Sequence, residues 1–173
     1  DVLNLSGAFP RLTITSLQGT AEAPIVVNGS AATFTGKLEL GGNCRYIELR
    51  NLNLHDVRSS DGLVLGASTT GIAVRNGKFY NIGYNGIYAR GSNHRFEGNE
   101  IYLTGLDYNA SPTNGLYCSG PGMVIAGNTI YSAKRGSGIR HQGSNGRIEG
   151  NTVRNNSDQG INLTTEIETN TVL

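Results

Sequence analysis

Tyr88, Tyr117 and Arg140 stand at the same place in a phrase that the chain repeats: Gly86-Ile87-Tyr88, Gly115-Leu116-Tyr117 and Gly138-Ile139-Arg140. If successive phrases stack about 4.8 Å apart, as neighbouring strands do, the three side chains form one continuous strip. Phenol rings beside a guanidinium suit the apolar faces and polar rims of a saccharide. A uronic acid asks for more. Its carboxylate needs a cation, and the proton alpha to that carboxylate needs a base such as Tyr, His or Lys. Tyr117 and Arg140 match those two roles. His141 is a further candidate base if the register brings it to the surface, although strict alternation turns it inward beneath Cys118. Lys134 and Arg135 have the charge to hold a uronate or a sulfate, and Asp107 with Tyr108 has the makings of an acid/base pair. The catalytic candidates are therefore His141, Arg140, Lys134 and Tyr117. The substrate-binding candidates are Tyr88, Tyr117, Arg140, Arg135, Asp107 and Tyr108.

The elements that must position these groups are legible as repeats. The glycine of the phrase recurs at Gly86, Gly115, Gly138 and Gly160, in steps of 22 to 29 residues. A second half-phrase follows each time: Phe96-Glu97-Gly98-Asn99, Ile125-Ala126-Gly127-Asn128, Ile148-Glu149-Gly150-Asn151 and Ile167-Glu168-Thr169-Asn170. Repeats of that length built from alternating short strands are the signature of a solenoid. We read the chain as all-β: a single-stranded right-handed parallel β-helix of about seven rungs spanning residues 1–173 as a single domain.

Period-two alternation assigns faces. Leu38, Leu63, Ile87, Leu116, Ile139 and Ile161 make one inward column, and Leu40, Leu65, Ala89, Cys118, His141 and Leu163 a second. Leu49, Val74, Phe96, Ile125, Ile148 and Ile167 open the second half-phrase. Asn99, Asn128, Asn151 and Asn170 share one slot, where amides can bond along the stack. Glu39, Val64, Tyr88, Tyr117, Arg140 and Asn162 form the outward column. The segment before Gly115 is about six residues longer than its counterparts, and insertions in solenoids gather on one lateral surface. His55, Asp56, Arg58 and Asp61 cluster in an earlier turn and read as an ion-pair network.

Composition agrees. The chain has 173 residues, 37% of them hydrophobic, with 25 Gly against 4 Pro, which suits a narrow core and many turns. The net charge is +1, with 14 Lys plus Arg and no basic stripe, so a nucleic-acid partner is not expected. No apolar run reaches the length of a membrane span. Cys44 and Cys118, about three rungs apart, are too distant for a disulfide. No capping helix is visible at either end, so the chain reads either as a piece of a longer solenoid or as a unit whose ends are covered by other copies.

The Gly-Ile-Tyr, Gly-Asn-Thr-Ile and Gly-Ile-Arg phrases resemble the right-handed parallel β-helix repeats of secreted polysaccharide lyases, mannuronan epimerases and NosD-type proteins. The Asp1–Leu5 run and the Gly19–Ile25 run resemble the first rungs of alginate and chondroitin lyase relatives. The resemblance implies an extracellular or cell-surface protein whose partner is an acidic polysaccharide, acting by β-elimination or C5 epimerisation if it is an enzyme. The lyase pattern of paired acids ahead of a Lys and an Arg has no match, and the Asp-Pro-His motif of the epimerases is absent. Enzymatic activity thus stays open, beside a second reading: a non-catalytic structural solenoid that self-assembles end to end into a filament. No cofactor is expected. The resemblance admits Ca²⁺, but Ala126 separates Glu97 from Glu149 and Arg75 adjoins Glu97, a charge ladder rather than a cation site.

Overall fold

A computed structural model describes residues 1–107, 109, 113–164 and 171–172, and they wind into a parallel β-solenoid of about seven turns with no helix among them. Its strands, numbered in chain order, lie on three faces. Face one holds β2 (Leu12–Thr15), β4 (Leu38–Gly41), β7 (Leu63–Leu65), β10 (Ile87–Arg90), β13 (Leu116–Ser119), β16 (Ile139–Gln142) and β19 (Ile161–Leu163). Face two holds β1 (Val2–Phe9), β3 (Ile25–Phe34), β5 (Ile47–Arg50), β8 (Ala73–Arg75), β11 (Arg95–Glu97), β14 (Val124–Ala126), β17 (Arg147–Glu149) and β20 (Thr171–Val172). Face three holds β6 (Asn53–Val57), β9 (Lys78–Ile82), β12 (Glu100–Thr104), β15 (Thr129–Ala133) and β18 (Thr152–Arg154). Every pairing between them is parallel, and β3 bridges faces two and three by pairing with both β5 and β6.

The inward columns of face one have the register that alternation predicts. Leu38, Leu63, Ile87, Leu116, Ile139 and Ile161 are successive partners, as are Leu40, Leu65, Ala89, Cys118, His141 and Leu163. The face-two column runs Leu49, Val74, Phe96, Ile125, Ile148 and then Val172, which replaces the expected Ile167. Ile167 matches the phrase in sequence, but the pairing of β17 with β20 puts Val172 in register with Ile148. Ile167 and Asn170 lie outside the described residues.

The second half-phrase is not one strand but two. A left-handed residue (Asn51, Asn76, Gly98, Gly127 or Gly150, each with φ between 54° and 65°) turns the chain between faces two and three. Asn and Gly tolerate that region, other residues poorly. The turn creates a third inward column, Leu54, Phe79, Ile101 and Ile130, that two half-phrases did not disclose. The asparagine ladder sits directly beside this turn. Asn99 donates its amide to Asn128 Oδ1 at 3.0 Å, and Asn128 donates to Asn151 Oδ1 at 2.9 Å. The ladder starts one rung earlier than the asparagines do, because the Gly77 N–H donates to Asn99 Oδ1.

The recurrent phrase glycine has a steric cause. A Cβ on Gly62, Gly86, Gly115 or Gly138 would stand 2.6, 2.7, 2.7 or 2.9 Å from the carbonyl oxygen of the same glycine one rung on. Backbones approach there too closely for any side chain. Cys44 and Cys118 are both free thiols in the core, where burial pushes the Cys118 thiol up.

Candidate functional site

Face one delivers the strip that the phrase spacing predicts. Tyr88 and Tyr117 are direct partners, with ring centroids 5.1 Å apart and planes 18° from parallel. The Arg140 guanidinium lies 5.2 Å from the Tyr117 ring, and that of Arg90 lies 5.5 Å from the Tyr88 ring. The Tyr117 hydroxyl pairs with Gln142 Oε1. The rings therefore spend their faces on one another and on two cations. What the strip offers a ligand is hydroxyl edges and guanidinium donors, not the open aromatic platform that spacing alone suggested. Arg90 was not foreseen. It stands two residues beyond Tyr88, on the same outward side of β10, and alternation would have found it.

The charge state of this strip differs from that of the neighbouring face. On face two every outward arginine is neutralised: Arg50 and Arg75 by Glu48, Arg75 also by Glu97 at 2.9 Å, Arg95 by Glu97, and Arg147 by Glu149. Glu48 is held below the usual carboxylate range, by the Arg50 hydrogen bond above all. On face one, Arg90 and Arg140 have no carboxylate within salt-bridge distance among the described residues. No group of three or more His, Cys, Asp or Glu side chains that could hold a metal occurs among them either.

The remaining candidates scatter. His141 is inward and 1% exposed, between Cys118 and Leu163, so it cannot serve as a surface base beside Arg140. Alternation is unbroken there, and the register shift that would have freed it does not occur. Lys134 is exposed at the corner after β15, its backbone bound to the Thr104 carbonyl. Arg135 packs against Gly105 and acts on Asp107, at the base of the long loop rather than on the strip. That loop joins β12 to β13 and begins by pairing backwards, with Leu106 N–H on the Ile82 carbonyl and Asp107 N–H on that of Gly83. Tyr108 lies outside the described residues.

Face three carries a second column that the phrases hid. His55, Tyr80, Tyr102 and Tyr131 stack with centroids 4.9, 5.1 and 4.9 Å apart, and the Arg154 guanidinium sits 4.5 Å from the Tyr131 ring. Lys78 pairs with Glu100 at 3.4 Å, and the Tyr131 hydroxyl donates to the same carboxylate at 3.0 Å. At the His55 end lies a cleft of about 810 Å³, lined by Asp56, Val57, Arg58, Ser59, Asn81, Gly83, Leu106 and Asp107. The His55 cluster is only partly the expected ion-pair network. His55 Nδ1 is 2.7 Å from Asp56, but Asp61 turns away to bind the backbone and side chain of Asn85. That bond begins a second ladder, in which Asn114 donates to Asn85 and the Ser137 N–H donates to Asn114.

Searches among curated proteins and among solved structures gave no match to this chain. The family described as "Right handed beta helix region" matches residues 38–173. That span takes in the repeats, the asparagine ladder and both tyrosine columns, and the chain belongs to the right-handed β-helix family.

Proposed function

We propose that this β-helix binds an acidic polysaccharide along face one, at the outer surface of a cell or beyond it. The observation that supports the reading is the pair of guanidiniums on Arg90 and Arg140. Each is positioned by stacking on a tyrosine and left without an acidic partner among the described residues, while face two neutralises all of its own. Guanidinium forks match carboxylate and sulfate geometry. Held on a rigid ladder, they lose little entropy when a ligand arrives. If the site turns its ligand over, the base is Tyr117 as a phenolate, its own proton first released to solvent from the bond to Gln142 Oε1, since His141 is buried.

Calorimetric titration with oligomannuronate, oligogalacturonate and chondroitin fragments tests this. Binding that weakens with salt, and about tenfold in Arg140→Gln, is expected. Equal binding by wild type and an Arg90→Gln, Arg140→Gln double variant would remove the reading. Unsaturated sugar ends absorbing in the ultraviolet would add lyase chemistry to it. The competing reading is end-to-end assembly. Light scattering at micromolar concentration separates the two.

A further inference from the structure

We propose that the cleft beside face three, together with the His55–Tyr131 column, is a second carbohydrate site, and that it takes an uncharged glycan. It is independent of the face-one strip, with which it shares no residue.

The cleft, at about 810 Å³, falls within the size of small-ligand sites and joins three segments distant in sequence: the end of β6, the end of β9 and the base of the long loop. Two ionised carboxylates line it. The Asp56 carboxyl is held below its usual range by the hydrogen bond from His55 and by that from Asn81. The Asp107 carboxyl is held low by the Ser59 hydroxyl and by the N–H of Asn109. An ionised carboxylate offers about four acceptor sites, and neither of these is saturated by such partners. Arg58 adds donors, and Leu106, 44% exposed, adds an apolar lip. Acceptors, donors and one apolar edge in a single cleft match the hydroxyls and C–H face of a sugar ring.

Charge selects the class. Asp56 and Asp107 stand against Arg58, with Arg135 acting on Asp107 from the next rung. Two carboxylates beside two guanidiniums leave a uronate little net attraction, whereas a neutral sugar needs only the hydrogen-bond partners they offer. Along the column leading away from the cleft, Lys78 is paired with Glu100, and the Arg154 guanidinium stands only at the far end, on the Tyr131 ring. Asp56 and Asn81 of the cleft directly follow His55 and Tyr80 of the column. With rings stacked 4.9 to 5.1 Å apart, the column presents one phenol edge per rung, a repeat comparable to the length of one pyranose. A glycan laid along the solenoid axis would place its reducing or non-reducing end in the cleft and meet one tyrosine per residue.

The test is a calorimetric titration of the intact chain with neutral hexasaccharides (β-1,4-glucose, β-1,4-xylose, β-1,4-mannose and α-1,4-glucose) and with oligomannuronate. At least one neutral hexasaccharide is expected to bind. Asp107→Asn and Arg58→Gln should each weaken it about tenfold, with oligomannuronate binding unchanged. Tyr102→Phe retains the stack and removes only a hydroxyl, so it should weaken the neutral ligand severalfold at an unaltered melting temperature. Failure of all four neutral ligands to bind at millimolar concentration would overturn the proposal. So would equal binding by wild type, Asp107→Asn and Tyr102→Phe, or a loss in Asp107→Asn confined to oligomannuronate.

Discussion

The imidazole of His94 accepts the N–H of Ile72 on Nδ1 at 3.1 Å and donates from Nε2 to the Arg90 carbonyl at 2.7 Å, clasping two rungs at one corner. Thr69 Oγ1 lies 3.2 Å from the same Nε2, and the ring is fully buried. Such a ring must be neutral, because Nδ1 can accept only without its proton.

Burial lowers the His94 pKa from 6.5 to about 4, so the unfolded chain binds the proton more readily than the folded one. The clasp is therefore at full strength above about pH 6.5 and fades as pH falls toward 4. We expect stability to drop across that window by on the order of 3 kcal/mol, read as the urea midpoint at each pH. His94→Asn, which retains an acceptor for Ile72, should flatten the profile.

Gly115→Ala tests the close approach of rungs. Its Cβ would fall 2.5 Å from Ile130 Cγ2 and 2.7 Å from the Gly138 carbonyl oxygen, and the carbonyl cannot yield without moving its ladder. A loss of about 3 kcal/mol or more is expected, against nearly none for Gly127→Asn, where no atom lies within 4 Å.

The ladder asparagines should divide by burial. Asn128 is buried, accepts from the Asn99 N–H and side chain, and donates to the Phe96 carbonyl at 2.8 Å. Asn128→Ala orphans those groups and should cost about 3 kcal/mol. Asn28 makes similar amide bonds to Asn4 and Asn51 in the open, so Asn28→Ala should cost less than about 0.5 kcal/mol. Chemical denaturation of both variants checks the contrast.

Leu103 sits at φ 51°, in the slot that Asp56, Asn81, Ser132 and Asn155 fill with residues suited to it. A leucine is strained there. Leu103→Asn should raise stability by about 1 kcal/mol, measured as a higher melting temperature.

His141→Leu should leave binding of acidic oligosaccharides unchanged, since the imidazole points into the column of Cys118 and Leu163. Arg140→Gln, one residue earlier and on the outward side, should weaken that binding. Parallel titrations of the two variants set inward against outward on adjacent residues.

The sequence by itself determined the solenoid, its winding on a 22- to 29-residue repeat, and the inward columns of face one. A strand alternates with period two, and a parallel stack repeats one register. Hence Tyr88, Tyr117 and Arg140 could be aligned without coordinates, and His141 turned inward. Tertiary structure decided the rest. A left-handed Asn or Gly split each second half-phrase across two faces, so the Tyr80, Tyr102 and Tyr131 column shared no phrase with the residues that announced the repeat. The pairing of β17 with β20 set Val172, not Ile167, opposite Ile148. The cleft needed Asp56, Asn81 and Asp107 to meet from successive rungs, and nothing in their separate neighbourhoods requires it. Local pattern fixes which way a side chain faces; only the packing of one rung on the next fixes what it faces.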